Sequence, residues 1–85
     1  METLKIIIKG EYFDMIKSGE KKIEYREVTP FWTSRLFDKE GKKRSYDNVL
    51  FINGYNKDAR RLTTEFKGVT IKNGVYNINL GKIIK

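Results

Sequence analysis

The chain has no histidine and no cysteine among 85 residues, one proline, and no long apolar run. Without cysteine there is no disulfide, thiolate nucleophile or zinc–thiolate site; without histidine, imidazole catalysis and the commonest metal ligand are gone too. The longest apolar stretches, Ile6-Ile7-Ile8 and Val49-Leu50-Phe51-Ile52, fall far short of the roughly 18–20 residues that span a bilayer, and the N-terminus carries no signal-peptide pattern. The sequence therefore predicts a cytoplasmic protein with no membrane association, no metal and no cofactor. Its chemistry has to come from Lys, Arg, Asp, Glu, hydroxyls, amides and aromatic rings.

Positive charge is abundant: 18 Lys/Arg against 11 Asp/Glu gives +7. Residues 1–38 balance at seven of each sign, whereas residues 39–85 carry eleven against four, so the excess lies in the second half of the sequence. Such asymmetry favours a polyanion, most simply nucleic acid, as partner, with a lysine-rich solvated surface as the alternative. The length predicts a single domain over residues 1–85, whose folding buries only roughly 60–65% of the surface of the unfolded chain.

Hydrophobic periodicity predicts seven elements. Leu4, Ile6 and Ile8 alternate with Lys5, Ile7 and Lys9, a strand pattern. From Glu11 to Ser18 the period becomes helical, with Tyr12, Met15 and Ile16 on one stripe, Glu11 and Asp14 toward the N-terminal end, and Gly19 where a left-handed stop belongs. Lys22 to Val28 alternates again, with Ile23 and Tyr25 on one side and Glu24 and Arg26 on the other. Thr29-Pro30 pairs an N-cap with proline at the first helical position and predicts a short helix to about Phe37, with Trp32 and Leu36 on one face. A polar, basic loop follows over 38–45, then a strand from Tyr46 to Ile52 whose continuous apolar run predicts burial on both faces.

Arg61 to Ile71 and Val75 to Ile84 read as a hairpin about Asn73-Gly74. A two-residue turn sets Ile71 opposite Tyr76 and Val69 opposite Ile78; a bulge at Gly68 then brings Phe66 opposite Leu80 and Glu65 opposite Gly81. Beside a residue with no side chain, Glu65 is either a pocket wall or an exposed strand carboxylate. The fold class expected is α+β: a curled, mainly antiparallel sheet of about five strands with two short helices.

The densest polar cluster is Gly19-Glu20-Lys21-Lys22-Ile23-Glu24-Tyr25-Arg26. Alternation places Glu24 and Arg26 on one strand face, and Lys21 can join them from the turn after Gly19. A surface ion-pair ladder worth about 0–1 kcal/mol is the plain reading of this pattern. The spacing Gly19-x-Lys21-x-x-Glu24-x-Arg26, after a strand and a short helix of the form Tyr12-Phe13-x-x-Ile16, also resembles the signature of the ASCH domain family in the PUA-like superfamily of small β-barrels. The resemblance is specific over these eight residues and agrees only in pattern over Leu4 to Ile84.

That resemblance implies a partly closed β-barrel with a cleft against its flanking helices, lined by the motif residues, and a role in RNA or nucleotide binding. Some members are hydrolases that remove an acyl group from the exocyclic amine of a modified cytidine, using the motif lysine, a threonine and a late-strand glutamate. Lys21 matches the lysine, Glu65 matches the late acid, and Glu24 stands in place of the threonine. A lysine acting as base near neutral pH needs its pKa lowered by roughly 3 units from about 10.4, and an ionised Glu24 nearby opposes that shift. Glu24 therefore tilts the reading toward binding, with Lys21 and Arg26 gripping a phosphate or a base carbonyl and Glu24 reading an amine.

Tyr25, Trp32 and Tyr55, interleaved with Arg26, Arg35 and Lys57, fit base stacking combined with phosphate contacts, although Trp32 with Leu36 also fits a core pair. Arg60 and Arg61 read either as a phosphate clamp or as charges shielding a strand edge. The alternatives are a hydrolase, either an N4-acylcytidine-type amidohydrolase or a ribonuclease, with Lys21, Glu24 and Glu65 as its catalytic groups, and a basic module that docks on or inhibits a protein partner.

Overall fold

The structure, a computed structural model, describes residues 2–84. In chain order the elements are β1 (Thr3–Ile8), α1 (Gly10–Ser18), β2 (Ile23–Glu27), α2 (Pro30–Leu36), β3 (Asn48–Asn53), β4 (Arg61–Lys72) and β5 (Val75–Ile83). The five strands form one curled sheet in the order β1-β3-β4-β5-β2, a partly closed barrel. β1 runs parallel to β3, and every other pairing is antiparallel.

Alternation is kept strictly in β1, where Leu4, Ile6 and Ile8 are buried and the residues between them exposed. They meet Val49 and Phe51 of β3, Leu62 of β4 and Ile78 and Leu80 of β5, while Phe13, Ile16 and Leu36 cover the sheet from the helices. Each large apolar side chain fully buried this way contributes about 1.5–3 kcal/mol. The apolar run of β3 is not buried on both faces: Val49 and Phe51 are enclosed, whereas Leu50 and Ile52 are half-buried, because no element packs fully over the outer side of the sheet there.

The helix stripe is displaced from the sequence expectation. Phe13 and Ile16 form the buried face of α1, and Tyr12 and Met15 are 43% and 37% exposed. A nine-residue helix presents one narrow stripe, and Tyr12-Phe13 left its angular position ambiguous by one residue, about 100°. Thr29 caps α2 by accepting from the Trp32 N–H at 3.2 Å. The 38–45 loop closes on itself: the Asp38 carboxylate accepts from the Glu40 and Lys42 amides, each at 2.9 Å. From the turn to Phe66 the hairpin register follows the sequence reading, with Ile71 opposite Tyr76, Val69 opposite Ile78 and Phe66 opposite Leu80; a second shift between Phe66 and Thr64 then sets Thr64 opposite Ile83, so the expected Glu65–Gly81 ladder pair is interrupted. The bulge residue Gly68 has φ +98°, a backbone conformation that costs an L-residue about 1–2 kcal/mol.

Candidate functional site

β1 and β2 are the two free edges of the sheet, and the seam between them carries the polar cluster. Gly19 ends α1 in the left-handed conformation, at φ +89°, and the Lys21 amide returns to the Met15 carbonyl at 3.1 Å. Lys21 is thereby fixed in the turn just ahead of β2. Pairing with β5 sets Glu24 opposite Ile78 and Arg26 opposite Tyr76, both of which are buried, so the charged side of β2 faces inward. Tyr25, on the other side of the strand, points outward at 54% exposure. The reason lies in the position of the strand: at a barrel seam the inward side meets the gap between two edges, where charge can be neutralised, and not the centre of the core.

Neutralisation comes from both sides of one carboxylate. Glu24, only 6% exposed, has Lys21 Nζ at 3.3 Å from Oε1 and accepts on Oε2 from Arg26 at 2.7 and 3.0 Å. Lys21 also donates to the Ile23 carbonyl at 2.7 Å and sits 5.5 and 5.0 Å from the ring centroids of Tyr12 and Tyr25. Arg26 reaches across the seam to the Ile7 carbonyl at 3.2 Å, joining the free edges of β2 and β1, and lies 5.0 Å from the Trp32 ring. This is a half-buried network around a buried carboxylate and not the surface ladder of the simplest reading. The triad carries +1, and the Lys21 contact with Oε1 is an ion pair, so acceptor capacity remains there for an incoming N–H.

A depression of about 520 Å³ opens over this network, within the roughly 300–1,000 Å³ typical of small-ligand sites. Its walls include Tyr12, Tyr25, Tyr55 and Asn53, with Glu24 and Arg26 among them. Tyr55 is 89% exposed. The sequence reading missed Tyr12, which it assigned to the core stripe, and Asn53, which follows the end of the expected strand at Ile52.

Glu65 lies around the α1–β2 turn in a second depression of about 440 Å³, lined also by Lys21, Lys22, Lys67, Gly81 and Lys82. Gly81 makes the room: a Cβ there would fall 2.5 Å from Glu65 Oε1. The Glu65 carboxylate accepts from the Lys82 amide at 2.9 Å, and that bond, aided by the Lys67 charge, holds its pKa below the ordinary glutamate value. Lys21 and Glu65 line one depression, yet their polar contacts do not overlap.

Lys57 and Arg60 stand apart, and neither lines the depression over Glu24. Arg60 pairs with Asp14 at 2.9 Å, donates to Asn53 at 3.3 Å and covers the Phe13 ring at 4.5 Å, which pins α1 to the start of β4. Arg61 donates to the Lys57 carbonyl at 3.4 Å, and β4 is an interior strand, so neither arginine shields an edge. Among the described residues no helix is long and apolar enough to cross a membrane, and no group of three or more acidic residues could hold a metal ion. In comparisons with known protein families, curated proteins and solved structures, the chain matches none.

Proposed function

We propose that the chain is an ASCH-like RNA- or nucleotide-binding domain whose base-binding site is the depression over Glu24. The observation that carries this reading is a buried carboxylate, held by two cations, that still presents acceptor capacity to a tyrosine-walled cavity of nucleobase-compatible size. An exocyclic amine of cytosine, adenine or guanine donates to Glu24, as a single-stranded base does when read on its Watson–Crick edge. Tyr25 and Tyr55 supply stacking faces, and the surplus positive charge of Lys21 and Arg26 favours the attached phosphate.

Lys21 acts in this reading as a cation. Each of its contacts uses it as a donor or a charge, with Ile23, Glu24 and two tyrosine rings as partners. That arrangement favours binding over the amidohydrolase alternative, in which Lys21 takes a proton. Anisotropy of a labelled single-stranded RNA at about 50 mM salt tests the proposal. Tyr55→Ala, at an exposed position that leaves the core untouched, weakens binding about 5- to 150-fold, the equivalent of about 1–3 kcal/mol per stacked base. No detectable binding at low salt overturns it.

A further inference from the structure

The base-binding depression is one stretch of a longer groove. On one side it shares Ile7, Arg26 and Tyr55 with a depression of about 370 Å³ between β1 and α2, which Phe31, Trp32 and Arg35 help to line. On the other side it shares Tyr12 and Tyr25 with a depression of about 520 Å³ along the α1–β2 turn. That one shares Gly19, Lys21 and Lys22 with the Glu65 depression. Four depressions with common walls thus run in series along the seam and around the turn.

The two ends of this groove differ in chemistry. The seam end is bordered by rings: Tyr12, Tyr25, Phe31 and Tyr55 are 43%, 54%, 55% and 89% exposed, and Trp32 is half-buried beside them. The turn end is bordered by Lys22, Lys67 and Lys82, which are exposed, with Glu65 the one acid lining that depression. Over the whole groove eight Lys/Arg face three Asp/Glu, so +5 of the chain's +7 lies on its walls. Lys5, Lys9, Lys22 and Arg35, all from the charge-balanced first half of the sequence, contribute to that concentration.

We infer that the ligand is a single-stranded oligonucleotide of about four nucleotides, the low end of the about 4–16 that small β-barrels hold, and not a mononucleotide. Its bases stack at the aromatic seam, and its phosphates continue around the α1–β2 turn to Lys22 and Lys82. Rings interleaved with cations select nucleic acid over an acidic peptide, because a peptide carboxylate chain engages the charges but brings no flat group to stack on the exposed rings. This inference rests on the nucleotide-binding reading and extends it to a length, a direction and a second contact region.

Anisotropy titrations with labelled oligocytidylates of one, two, four and eight nucleotides separate the two claims. At roughly 5-fold or more per stacked base, affinity rises at least about 100-fold from one nucleotide to four and then levels off. Lys22→Gln with Lys82→Gln, at exposed positions that do not line the depression over Glu24, leaves mononucleotide affinity unchanged. For the octamer the double variant weakens binding and makes the salt slope shallower by about 1.4, at about 0.7 per phosphate contact. A mononucleotide that binds as tightly as the octamer, or an octamer indifferent to the two lysines, overturns the groove and leaves the base site standing. Failure at every length overturns the base site itself, and tighter binding of an octaglutamate than of the octamer assigns the groove to acidic proteins and overturns both.

Discussion

Glu24→Gln is the sharpest test of the seam network, because it removes one charge and almost no volume. At an effective dielectric constant of about 20, Glu24 attracts Lys21 across 3.3 Å by about 5 kcal/mol and Arg26 across 2.7 Å by about 6 kcal/mol, before desolvation. Desolvation offsets much of this in the wild type. In the variant the carboxylate's own desolvation cost goes with its charge, but that of the two cations remains while the attraction is gone, with the cations left facing each other. Breaking a buried pair by removing one partner costs about 3–5 kcal/mol. Lys21 and Arg26 keep 12% and 25% of their side-chain surface, so screening lowers the expected loss to about 2–4 kcal/mol.

That is a large share of the roughly 4–13 kcal/mol expected for a domain of this length. It corresponds to a fall in melting temperature of about 8–30 °C, read by circular dichroism at pH 7 and checked by urea midpoints. The fall persists at 0.5 M salt, where an exposed pair would be screened. Replacing all three groups by apolar residues, as Lys21→Met, Glu24→Leu and Arg26→Met together, restores the melting temperature to near that of the wild type. A single Glu24→Gln variant that melts within about 2 °C of wild type refutes the reasoning, since that is the behaviour of a surface pair.

Three further outcomes follow from the same geometry. Gly81→Ala drives a methyl group to 2.5 Å from Glu65 Oε1 and 2.8 Å from its Cβ, so it destabilises the fold by about 1–3 kcal/mol in urea titrations and narrows the lysine-bordered end of the groove. Glu65, whose pKa is lowered by the Lys82 amide and the Lys67 charge, contributes stability that is fully present above the ordinary carboxylate range near about pH 4.3 and is lost as pH falls through its folded value. Acid titrations of wild type and Glu65→Gln therefore diverge at neutral pH and converge at low pH, and a constant difference rules out that contribution. Thr33→Val breaks the 2.6 Å hydrogen bond to the Tyr76 hydroxyl that ties α2 to β5, costing about 1 kcal/mol, visible as a melting shift of about 4–8 °C.

Much of the fold was legible because it is local. Asn73, at φ +53°, and Gly74, at φ +73°, make a tight hairpin turn, and Gly68 takes up the first bulge, so these residues set the β4–β5 register from the turn to Phe66–Leu80, whereas the second shift, between Phe66 and Thr64, carries no glycine signal. Thr29-Pro30 and Gly19 marked the start of α2 and the end of α1 for similar reasons. The orientation of β2 was not legible. A two-residue period fixes which residues share a face but not which face turns inward, and the charged face was the one that did.

The sequence by itself determined the order of elements, the hairpin register from the turn to Phe66 and the closeness of Lys21, Glu24 and Arg26, since each depends on residues a few positions apart. Only the tertiary structure decided that Glu24 is buried with Lys21 and Arg26 half-buried about it, because that requires β1 and β2 to be the two edges facing each other across a seam. It also decided where the positive charge acts. The sequence places the excess in residues 39–85, whereas the groove gathers +5 from strands, turns and α2, drawing on both halves. Charge along a chain is a sum over neighbours in sequence; the field a ligand meets is a sum over neighbours in space.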